Sequence, residues 1–140
     1  MADRQRVEFS FRSDLACAEV AVGLCCSFSH RFGFNDADCS DICLALREAL
    51  NNAILHGNRR SPAKQVRVRV SGGPGRIALS VQDQGGGFNP RNLPDPTKPE
   101  NLLKPCGRGI FLMRNFMDHV AFRFSRRGGT EVRLVRTLKA

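Results

Sequence analysis

Twice in this chain, two stretches of alternating apolar and polar residues flank a short glycine-bearing connection. Gln65 to Ser71 and Arg76 to Asp83 are joined by Gly72-Gly-Pro-Gly75, and His119 to Ser125 and Thr130 to Thr137 by Arg126-Arg-Gly-Gly129. A period of two marks a half-buried strand, and a glycine turn between two such runs marks a hairpin. Hairpins pair antiparallel, so most of the sheet is antiparallel and a doubly wound parallel architecture is excluded. A fifth run, Val7-Glu-Phe9-Ser-Phe11-Arg12, alternates in the same way.

Three helices accompany the strands. Ser13-Asp14 can cap a stretch reaching roughly Phe32, with Leu15, Ala18, Val22, Cys25 and Cys26 on one side. Gly33-Phe-Asn-Asp36 breaks it. A second helix runs from about Asp38 to His56, carrying Ile42, Leu46, Ala49, Leu50 and Ala53 at core spacing. Gly57-Asn58 ends it, since both residues tolerate the left-handed conformation. A short third helix covers about Gly109 to Met117. The expectation is a single α+β domain over residues 1–140: a two-layer sandwich, its sheet mixed but mostly antiparallel, with the helices on one face. Residues 84–106 hold five of the seven prolines and no period. So long an irregular stretch in a compact domain has a task, such as closing over a ligand.

Composition narrows the function. No run is long enough to cross a bilayer, and no apolar segment follows Met-Ala-Asp-Arg-Gln-Arg, so a cytoplasmic protein without a membrane role is expected. Six cysteines form no Cys-x-x-Cys pair and do not cluster with the three histidines, which argues for reduced thiols rather than zinc. The net charge of +9 could attract nucleic acid, acidic proteins or phosphate ligands. Its arginines are scattered and no RNA-binding signature accompanies them, so nucleic acid is not expected as a partner.

Three blocks carry chemistry. In Glu48-Ala-Leu-Asn-Asn52-Ala-Ile-Leu-His56, Glu48, Asn52 and His56 stand one turn apart on one helix face. A Mg²⁺ ion takes oxygen ligands and bridges phosphates, so the Asn52 oxygen could hold one position while Glu48 accepts a proton from an attacking hydroxyl. In Asp83-Gln-Gly85-Gly-Gly87-Phe88, the acid follows Ile77, Leu79 and Val81 on the inward face of its strand. A carboxylate accepts from an adenine amino group and rejects the guanine carbonyl, and Gly85 and Gly87 let the backbone approach a flat base. Gly107-Arg108-Gly109-Ile110 opens a helix whose free amides suit phosphates, with Lys104 and Arg108 adding charge. P-loop, dinucleotide-fold and eukaryotic protein-kinase signatures are absent.

These blocks resemble the N, G1 and G2 boxes of the GHKL (Bergerat-fold) ATPase superfamily. More narrowly, the chain resembles the stand-alone bacterial anti-sigma factor serine/threonine kinases of the RsbW/SpoIIAB type. Leu-Arg-Glu48 to His56-Gly, Asp83 to Phe88, Gly107 to Asp118 and Gly128-Gly-Thr130-Glu-Val match in that order. The resemblance implies ATP and Mg²⁺ as cofactors, Glu48 as general base and Asn52 as the metal contact. It also implies that Asp83 holds adenine with Thr130 in support, under a lid at about 89–106. It further implies phosphorylation of a small antagonist protein, a sigma factor or other regulator as the alternative partner, and homodimerisation in many members. A rival from another class is a non-catalytic, ATP-gated protein-binding module of the same fold.

Overall fold

A computed structural model describes residues 4–85, 105–125 and 128–139. The expected lid lies outside these residues, except that its last two positions belong to a helix. The elements are β1 (Gln5–Arg12), α1 (Leu15–Arg31), α2 (Asp36–Asn51), β2 (Gln65–Gly73), β3 (Arg76–Gln82), α3 (Pro105–Phe116), β4 (His119–Phe124) and β5 (Thr130–Thr137). The five strands form one sheet in the order β1-β2-β3-β5-β4. The sheet expected to be mostly antiparallel is antiparallel at each of its four pairings. Both hairpins form as the turns predict, and β3 and β5 meet at the centre, with Val81 opposite Val132.

Local chemistry sets the helix limits. Asp14 caps α1 by accepting from the Ala16 amide at 2.8 Å. At the other end, Gly33 adopts φ +99°, while its N–H bonds His30 O and that of Phe34 bonds Ser29 O. That is the paired closure of a Schellman motif, with buried Phe34 as its apolar contact. Asn35 caps α2 through Asp38 N at 2.8 Å, two residues earlier than the sequence suggests. Helix α2 occupies the centre of the helical layer, between α1 and α3, burying Ile42, Leu46 and Leu50 completely. Leu15, expected on the inner side of α1, is 42% exposed; Ala21 and Ser29 are buried there instead.

The end of α2 departs from the expectation. Residues Asn52–Gly57 form a π-helical turn, with Asn58 N–H bonding Ala53 O at 2.8 Å. The left-handed residues are Arg59 and Arg60, at φ 51° and 58°, whereas Asn58 stays right-handed. Single π-turns inside helices concentrate at functional sites. This one delivers Gly57 and Asn58 to the end of β3.

Candidate functional site

Asp83 follows β3 and is only 4% exposed. Its Oδ1 accepts from the amides of Gly85 at 2.9 Å and Thr130 at 3.1 Å. Asp83 N–H in turn bonds Thr130 O at 2.9 Å, so the strand end and β5 lock each other. Oδ2 takes no hydrogen bond among the described residues. Burial pushes the Asp83 pKa up; the amides of Gly85 and Thr130 and the charge of Lys64 pull the other way.

Backbone packs against this carboxyl where side chains cannot. A methyl group on Gly57 would stand 2.2 Å from Asp83 Oδ2, and one on Gly85 would stand 1.7 Å from Gly57 O. Gly85 thus serves close packing against Gly57, a tertiary need beyond a sharp turn. Asn58, fully buried, fixes the geometry: its Nδ2 donates to Ser13 Oγ at 2.7 Å and Gln65 O at 2.9 Å, and its Oδ1 accepts from Gln84 N at 2.7 Å.

A narrow cleft runs from Asp83 to the helices, lined by Ala49, Asn52, Val81, Met113 and Thr130 among others. Two of its polar atoms, Asn52 Nδ2 and Thr130 Oγ1, are buried with no hydrogen-bond partner among the described residues. Native folds rarely leave such groups unpaired, because each costs about 1–3 kcal/mol; a ligand would satisfy them. At the cleft's helical end, a methyl on Gly109 would lie 2.9 Å from Glu48 Oε2 and 3.5 Å from Asn52 Nδ2. A methyl there would push the Glu48 carboxylate aside, so the glycine is what leaves that acid its present place beside α3.

Residues 11–136 match the family model of the histidine kinase-like ATPase domain. The chain belongs to this family. An anti-sigma F factor of Geobacillus stearothermophilus is 32% identical over 96% of this chain and 92% of its own length. Among solved structures, the fold is similar to the SiaB–SiaC complex from Pseudomonas aeruginosa, with a TM-score of 0.71 and 12% identity over 92% of this chain and 88% of the other. It is also similar to the RsbU and RsbW domains of a Mycobacterium tuberculosis protein, with a TM-score of 0.62 and 15% identity over 96% of this chain and 32% of that one.

Within this ATPase domain the fold gathers Asn52, Asp83 and Thr130 around one cleft, with Gly85 bonded to Asp83 and Gly109 set beside Asn52 and Glu48. Other expected positions fall elsewhere. His56 is exposed and lines no part of the cleft. Ile110 is 4% exposed and belongs to the core, and Arg108 is exposed. Helix α3 starts at Pro105, so Gly107 and Gly109 lie inside its first turns and do not open it. Proline suits the first helical position, since its missing N–H would have no partner there. Gly87 and Lys104 lie outside the described residues. Sequence reasoning assigned Gly57 and Asn58 to a helix end. Their seat under Asp83 is a long-range contact, and the only hint was their place directly after the Asn52 block.

Proposed function

We propose that the ATPase domain binds ATP in this cleft and transfers its γ-phosphate to a serine or threonine of a small antagonist protein, with a sigma factor or other regulator as the alternative partner. One observation carries the reading: a buried carboxyl shares a cleft with two polar atoms that have no partner among the described residues, and Asn52 at that cleft stands beside Gly109, which in turn abuts Glu48. Asp83 Oδ2 accepts the adenine amino group, and Thr130 Oγ1 satisfies its hydrogen bond on the base. Guanine presents a carbonyl at that position and is repelled. The similarity to an anti-sigma F factor supports the choice of partner class.

The orphaned amide of Asn52 fits a hydrated Mg²⁺ ion, because a half-turn of its χ2 exchanges nitrogen for oxygen in the same space. Asn52 would hold the ion, which supplies charge neutralisation at the phosphates when bound. Glu48 orients the attacking hydroxyl and takes its proton. The α3 amides and the close approach at Gly109 position the phosphates at that carboxylate. Positioning and charge stabilisation supply most of the rate in such transfers.

Titration calorimetry with ATP and GTP, with and without Mg²⁺, tests the site. The expected result is adenine-selective, Mg²⁺-assisted binding; equal affinity for GTP removes Asp83 from base recognition. Glu48→Gln is expected to keep ATP affinity while losing about 10²–10⁴-fold in phosphotransfer to the antagonist. Wild-type protein that binds ATP without transfer would instead be a nucleotide-gated docking module.

A further inference from the structure

The helices cover one face of the sheet, and among the described residues nothing packs on the other. Strand alternation places seven arginines on that open face: Arg6, Arg12, Arg67, Arg69, Arg76, Arg123 and Arg133. Among the described residues only Glu8 and Glu131 oppose them there, so the face holds a net +5 of the chain's +9. Glu8 is shared among three guanidiniums, Arg69 at 3.2 Å, Arg67 at 3.5 Å and Arg6 at 3.6 Å. Arg76 and Arg133 have no acidic partner among the described residues. With Arg69 they line a groove of about 340 Å³.

We propose that this open face is a docking surface for an acidic helix of a partner protein. Charge complementarity selects the sign of the partner. A second copy of this chain would bring +5 against +5 and be repelled. Single-stranded nucleic acid wants aromatic rings to stack on. Among the described residues this face offers no phenylalanine, because Phe9, Phe11 and Phe122 pack on the helical side, and its one ring is His119 on the edge strand. The spacing fits a helix lying across the strands. Arg69 and Arg133 share a row through Ser80, two strand spacings or roughly 9.5 Å apart. Acidic residues seven apart on a helix are roughly 10.5 Å apart. The inference is independent of the nucleotide site, which lies at the end of β3 and between α2 and α3.

The test is fluorescence anisotropy with two labelled probes and no nucleotide: an alanine-based peptide with glutamates along one helical face, and a DNA duplex of equal charge. Arg69→Glu/Arg133→Glu is compared with Arg31→Glu/Arg114→Glu, an equal charge reversal at exposed helix positions. The first pair is expected to weaken peptide binding about tenfold or more, and the second about twofold at most. Equal weakening by both pairs reduces the effect to bulk charge and overturns the proposal. Tighter binding of the duplex, lost in the first pair, assigns the face to nucleic acid and overturns it too. Should the first pair fail to fold by circular dichroism, Arg69→Gln/Arg133→Gln is read by the same criteria. Calorimetry with ATP, expected to be unchanged in every variant, separates this result from the fate of the kinase reading.

Discussion

The Asp83 carboxyl is held above its ordinary pKa chiefly by burial, against the pull of two backbone amides. A raised folded-state value means that the native protein binds the extra proton, so stability falls as pH rises through the interval between the unfolded and folded values. Asp83→Asn keeps an oxygen for the amides of Gly85 and Thr130 but cannot ionise. The variant's melting temperature relative to wild type is expected to improve as pH rises above the ordinary carboxylate value of about 4, while its ATP affinity falls by roughly 10²-fold. A melting difference that does not change with pH would show that the carboxyl is not strained. Gly109 supplies a second separation of stability from activity. Alanine there gains roughly 0.5–1 kcal/mol of helix propensity but sets a methyl 2.9 Å from Glu48 Oε2. Thermal melts are expected to hold while phosphotransfer drops about tenfold or more; unchanged transfer would mean that Glu48 need not stay where it is.

At the scale of elements, periodicity made the hairpins and the middle of α2 legible, because burial of one face imposes it directly. Asp83 was legible for the same reason, as the fourth inward position after Ile77, Leu79 and Val81. The start of α3 was not: two glycines suggested an opening, whereas Pro105 takes the first helical position. The reason for Gly57-Asn58 was also hidden. Local letters state what a residue tolerates, and Asn58 is set by partners at positions 13, 65 and 84. Its three side-chain hydrogen bonds tie α2, the segment before α1 and the end of β3 together. Asn58→Ala is therefore expected to cost about 3–5 kcal/mol in urea unfolding and to weaken ATP binding with it. A cost within about 1 kcal/mol would show that the site holds its shape without this anchor.

At the scale of the whole molecule, Arg136 joins the two layers. From β5 it reaches Asp38 at 2.5 Å and Asp41 at 3.3 Å on α2, and Phe116 O at 3.0 Å at the end of α3. Its side chain is 18% exposed, which limits screening by water. The cation also sits where the α3 dipole is negative. Arg136→Ala is expected to destabilise by about 2–4 kcal/mol in denaturant titration, and Arg136→Lys to recover only part, since one ammonium cannot serve three acceptors in a planar fork. Full recovery by lysine would reduce the contact to simple charge. The π-turn at 52–57 bears on this scale as well. It houses one residue more than an α-helix of equal rise, and that surplus aims Gly57 and Asn58 at Asp83. Removing a single residue there would swing everything downstream by about 100°. Length variation, usually harmless at the end of a helix, is thus forbidden between Asn52 and Gly57, where the number of residues matters as much as their identity.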